Sequence, residues 1–109
     1  TISGGAGNDV FVIATGDTGI TEATADRYLD FNVGDVFDIN GAPITAVNYA
    51  ETTQADFAAA LTAANGTFSI VGNDVTVVVV ALSDGSGAWV FTALDAAATT
   101  ANGAFFVQG

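Results

Sequence analysis

The sequence predicts a mostly β domain carrying one short α-helix, and three observations lead there. Short runs of valine, phenylalanine, isoleucine and tyrosine alternate with glycine- and aspartate-rich turns. The longest apolar stretch, residues 75–82 with Thr76 within it, is of strand length and far below the roughly 18–20 residues needed to span a bilayer. Only one stretch, residues 54–64, repeats its apolar residues at helical spacing. At 109 residues the chain has room for a single compact unit, and a hydrophobic share of 50% excludes general disorder.

Taken in order, residues 10–14 form the first expected strand, directly after a glycine-rich turn. Residues 27–31 and 36–39 are short alternating strands. The helix is expected over 54–64, capped by Thr52 or Thr53 with Asp56 in its first turn. Phe57, Ala60, Leu61 and Ala64 fall at i, i+3, i+4 and i+7, and Asn65-Gly66 reads as its end. Residues 67–71 and 75–82 flank Gly72-Asn73-Asp74 and read as a hairpin. Asp84-Gly85-Ser86-Gly87 turns the valine strand into residues 88–94, and residues 104–108 close the chain as a last strand. Trp89, Phe91, Phe105 and Phe106 lie on these strands, where alternation assigns them to the core in preference to a binding platform.

Charge narrows the function. Twelve acidic residues face one base, Arg27, for a net charge of −11 without histidine. Asp9, Asp17, Glu22, Asp26, Asp30, Asp35 and Asp38 all lie in residues 1–40, so the front is the denser part. Nucleic acid and anionic membrane are poor partners for such a surface, and membrane insertion is not expected. The carboxylates either form a solvated acidic surface or are neutralised by a hard divalent cation, since a chain without lysine cannot neutralise them with salt bridges. Absence of cysteine excludes disulfides and thiolate chemistry, and absence of histidine removes zinc triads and Ser-His-Asp catalysis. The paired carboxylates formally allow an acid–base hydrolase, but turns, strands and a cation account for each of them in so small a domain. No enzymatic activity is expected.

Gly4-Gly5-Ala6-Gly7-Asn8-Asp9-Val10-Phe11-Val12 matches G-G-x-G-x-D-x-U-x position for position, the calcium-binding nonapeptide of RTX (repeat-in-toxin) proteins. Glycines permit positive φ and a tight turn, and Asp9 adds an anionic oxygen to a cation that takes six to eight oxygen ligands. Downstream, Asp26-Arg27-Tyr28-Leu29-Asp30-Phe31 and Gly34-Asp35-Val36-Phe37-Asp38-Ile39 resemble the D-R-I-L-D-F and G-D-x-I-D-L that follow the last nonapeptides in that family. Tyr28 and Phe37 replace isoleucines and keep the same strand face apolar.

The resemblance covers residues 1–41 in order and implies the last turn of a parallel β-roll. Residues 42–109 would continue it as a β-sheet or sandwich cap within one compact unit. It implies bound Ca2+ at Gly5, Gly7 and Asp9, with Asp26 and Asp30 as the carboxylates beside the roll; the alternative for both is an exposed acid on a strand. Asp35 and Asp38 suggest a further metal site, against an ordinary turn and an outward strand residue, and Asp74 and Asp84 read as turn residues. In the family each calcium is shared between successive turns. The single nonapeptide therefore leaves residues 1–12 as an open half-site with an unpaired strand edge, to be completed by upstream repeats or by neighbouring copies of the chain.

The implied function is a non-catalytic module of an extracellular bacterial protein, serving calcium-dependent folding and export through type I secretion machinery. That route uses an uncleaved C-terminal signal, and no basic stretch followed by an apolar run marks an N-terminal one. The competing expectation is a self-assembling structural subunit of an extracellular surface layer or filament.

Overall fold

A computed structural model describes residues 1–14, 16–32, 34–39, 49–69, 75–93 and 100–109. Its elements run β1 (Val10–Ile13), β2 (Asp26–Tyr28), β3 (Val36–Ile39), β4 (Tyr49–Gln54), α1 (Phe57–Phe68), β5 (Val77–Leu82), β6 (Gly87–Thr92) and β7 (Gly103–Gln108). Among the described residues the protein is mostly β with one short helix, as its β-branched and aromatic runs lead one to expect.

Five strands form one sheet in the order β2-β7-β6-β5-β4, and β1 and β3 form a separate parallel pair. Within the larger sheet β5, β6 and β7 are an antiparallel meander, while β4 joins β5 and β2 joins β7 in parallel. Through β2 the acidic front shares this sheet with β7 near the chain's end, while β1 and β3 stay outside it.

Strand alternation divides the core between the two faces of this sheet. Val78, Val80, Trp89, Phe91, Ala104 and Phe106 face one way and pack with Ala60, Ala64 and Phe68 of the helix. Their sequence neighbours Val77, Val90 and Phe105 face the other way and pack with Ile13, Tyr28 and Ile39. The β1–β3 pair thus covers the face that the helix leaves open, and the aromatics Trp89, Phe91, Phe105 and Phe106 are core residues, as alternation predicts. Tyr28 and Phe37 do share an apolar face, meeting edge to face at 4.9 Å.

Three expectations need correction. The helix begins later and ends later than 54–64. Its N-cap is Asp56, whose carboxylate accepts a hydrogen bond from the Ala59 N–H at 2.9 Å. Thr52 and Thr53 instead belong to β4, where β-branched residues are at home. Asn65-Gly66 lies inside the helix because Phe68, two residues beyond, completes the buried stripe begun by Ala60 and Ala64. Burying that ring outweighs the roughly 1 kcal/mol that an interior glycine costs. Consequently Thr67 and Phe68, expected in a 67–71 strand, are helical, residues 70 and 71 lie outside the described residues, and β5 pairs with β4 and β6. The Gly72-Asn73-Asp74 turn lies outside the described residues. The second turn, 84–87, does connect β5 to β6 as expected, with Gly85 at φ +79°.

Candidate functional site

The glycine-rich turn is held between Ile2 and β1, and its counterpart lies between β2 and β3. Ile2 pairs in parallel with Tyr28, and Val10 pairs in parallel with Val36. Two side-chain bonds between the turns, Gly4 to Asp30 and Asp9 to Asp35, span the same 26 residues. Ile2 and residues 10–13 therefore lie beside Tyr28 and residues 36–39 at one constant offset. Phe11 lies over Phe37 with ring centres 5.6 Å apart, and Ile13 pairs with Ile39. The stack has a sequence basis that turn-by-turn reading missed. Asn8-Asp9-Val10-Phe11-Val12-Ile13 recurs as Gly34-Asp35-Val36-Phe37-Asp38-Ile39, and shifting the chain against itself by this offset reveals it. One side of β1 pairs with β3; among the described residues its other side pairs with no strand.

Backbone demands explain the glycines. Gly5 and Gly7 sit at φ +89° and +112° with open space where a side chain would be, so conformation selects glycine there. Gly4 is selected by space: a Cβ would overlap the Asp9 carboxylate and approach the Phe11 ring to 2.9 Å.

The acids divide into satisfied and unsatisfied groups. Asp30 accepts from Gly4 N–H at 3.0 Å, from Gly5 N–H at 2.9 Å and from the Ser3 hydroxyl. These bonds, led by the Ser3 hydroxyl, hold its carboxyl below the ordinary value of 3.8. Asp35, which is buried, accepts from Asp9 N–H at 2.9 Å and from Asn32 N–H at 2.8 Å. Asp9 occupies the equivalent place one segment earlier, yet its Oδ2 is buried against Gly4 with no hydrogen-bond partner.

Asp26 lies elsewhere, on β2, where its N–H donates to Thr18 at 3.2 Å. Burial, then the Asp26 and Asp17 charges, push the Tyr28 phenol above its ordinary 10.0. Among the described residues no three acidic side chains converge as a metal-holding group, so Asp9, Asp26 and Asp30 do not form one. Asp38 stands opposite the exposed Val12 on the β1–β3 pair.

On the far side of the large sheet an open groove of about 580 Å³ runs between the helix start and the 84–87 turn. Arg27 lies over its aromatic floor, 4.8 Å from the Phe106 ring centre and 5.5 Å from that of Trp89, with Glu22 at 4.0 Å. The rim acids Asp56 and Asp84 each accept a backbone N–H, from Ala59 and Ser86 at 2.9 Å, so their carboxylates serve the adjacent turns. Compared with known proteins, the chain matches no family model, no curated protein and no solved structure.

Proposed function

We propose that this chain is a non-catalytic, calcium-binding RTX-type module of a secreted bacterial protein, serving calcium-dependent folding and export. Residues 2–13 and 28–39 act in it as stacked turns of a parallel β-roll end. One observation carries the reading: Asp9 and Asp35 are equivalent in the stack, but backbone amides fill both oxygens of Asp35 while a buried oxygen of Asp9 has none. An anionic oxygen kept from water without a partner is costly, and a bound cation removes that cost.

The donors available are oxygens only, which suits a hard ion such as Ca2+. Asp9 and the backbone carbonyls of the Gly5–Gly7 turn would hold it; Asp26 and Asp30, which the RTX resemblance also names, do not converge with Asp9 in one group. Six to eight oxygens exceed what one turn offers, so water, further repeats or a neighbouring copy supply the rest. The bound ion would add positive charge to the acidic front. The non-catalytic reading is supported by the employment of Asp17, Asp30, Asp35, Asp56 and Asp84 as acceptors for backbone amides.

Calorimetric titration tests this. The wild-type chain should bind calcium with a dissociation constant of about 10⁻⁴–10⁻³ M, and Asp9→Asn should weaken binding by tenfold or more. Absence of binding to the wild type, or equal binding by Asp9→Asn, overturns the assignment.

A second reading, a self-assembling subunit of an extracellular layer or filament, is favoured by the outer face of the β1–β3 pair. There Val10, Val12 and Val36 are 64%, 68% and 51% exposed. It predicts that sedimentation detects larger species in calcium that dissociate in chelator; a monomer in both conditions excludes it.

A further inference from the structure

We infer that Asp30 and Asp35 are positioning residues that hold the glycine turn ready for the cation, and that neither is a ligand to it. The inference rests on the calcium reading above and reassigns Asp30, which the RTX resemblance names as a ligand.

The four carboxylate oxygens of this pair are all engaged. Asp30 Oδ1 accepts from Gly4 N–H at 3.0 Å, and its Oδ2 accepts from both Gly5 N–H at 2.9 Å and the Ser3 hydroxyl. Asp35 Oδ1 accepts from Asp9 N–H at 2.9 Å and its Oδ2 from Asn32 N–H at 2.8 Å. The two acids grip the turn at its ends, Asp30 at residues 3–5 and Asp35 at residue 9. Between the grips lie Gly5 and Gly7, whose positive φ values define the turn's shape. Asp35 acts on the very residue whose carboxylate is unsatisfied: its bond to the Asp9 N–H, with the Val36 N–H donating to the Asp9 carbonyl at 2.9 Å, fixes the backbone from which that carboxylate hangs. The stack tightens this further, because the Asn8 side chain lies directly against Gly34 in the lower turn.

Groups that orient a ligand without touching the metal commonly contribute tenfold to a hundredfold in affinity. A carboxylate whose oxygens already accept amide hydrogen bonds suits that role, because those bonds fix its orientation and take up part of its acceptor capacity. The lower turn thus shapes the upper one before any metal arrives, and less ordering remains to oppose binding.

Terbium, which takes calcium sites and reports its coordinated waters through luminescence lifetimes in H2O and D2O, separates the two roles in the full chain. Asp30→Asn and Asp35→Asn should each weaken terbium and calcium binding by about tenfold without changing the number of coordinated waters, whereas Asp9→Asn should raise it. In the metal-free protein, Asp30→Asn should speed hydrogen exchange at the Gly4 and Gly5 amides, and Asp35→Asn at those of Asp9 and Asn32. An additional coordinated water in Asp30→Asn or Asp35→Asn makes that residue a ligand and overturns the inference. Unchanged affinity in both overturns it equally, as does unchanged amide exchange. Should Asp35→Asn fail to fold, Asp30→Asn, at the more exposed end of the turn, decides. A wild-type chain that binds neither ion fails the calcium reading itself, and the inference falls with it.

Discussion

At the residue scale, two aspartates at one position of a repeat have opposite environments. Asp35 accepts one amide on each oxygen, from the turn above and from its own turn. Asp9 keeps a buried oxygen unpaired. The nonapeptide pattern made Asp9 and the conformational glycines legible in the sequence. It could not show the work of Asp35, because a Gly-Asp turn reads the same whether its carboxylate meets solvent or a neighbouring backbone. Asp30 carries a pH signature. Its folded-state value lies below the ordinary 3.8 because hydrogen bonds from Ser3, Gly5 and Gly4 favour the charged form. Its contribution to stability is therefore complete above that value and is lost as pH falls below it. Acid titration followed by the amide signals of Gly4 and Gly5 should show them shifting together below pH 3.8, and Asp30→Asn should abolish that shift. Independent titration of the two amides, or persistence of the shift in the variant, contradicts this bonding.

At the element scale, the strands other than β4 were legible to within a few residues because they lie in β-branched or aromatic stretches between turn formers. What stayed hidden was the pairing. Nothing in the runs themselves distinguishes the parallel β1–β3 pair, set by a long crossover, from a local hairpin. β4 was missed because Tyr49-Ala50-Glu51-Thr52-Thr53-Gln54 has no clean apolar alternation; it gains its place by pairing with the valine strand β5. The helix was recognised by its stripe but bounded by the wrong signals. Thr52 and Thr53 have cap chemistry, but Asp56 performs that function, and the buried Phe68 overrides the stop signal of Asn65-Gly66. Removal of the true cap should be measurable: Asp56→Ala should lose about 1 kcal/mol in urea unfolding, with Thr52→Ala and Thr53→Ala producing no loss of helix. Equal helix loss from a threonine variant would restore the earlier boundary.

At the scale of the whole molecule, one sheet carries two cores, a helix over one face and the stacked acidic front over the other. The radius of gyration, 13.1 Å, is that of a compact unit of this length. Phe105, fully buried, ties the front to β7 through its contacts with Tyr28 and Phe37 at 5.4 and 4.8 Å. Loosening of the front is therefore felt by the sheet. Metal at the Asp9 turn should stabilise the whole fold, with −11 net charge opposing compaction in its absence. The most direct measurement is the thermal unfolding of the wild type and Asp9→Asn in calcium and in chelator. At tenfold excess over the dissociation constant, one site contributes roughly 1.4 kcal/mol, which raises the melting temperature by roughly 5–10 °C for a chain of this size. The account predicts that shift in the wild type and its loss in Asp9→Asn; superimposable wild-type curves in calcium and chelator would contradict it.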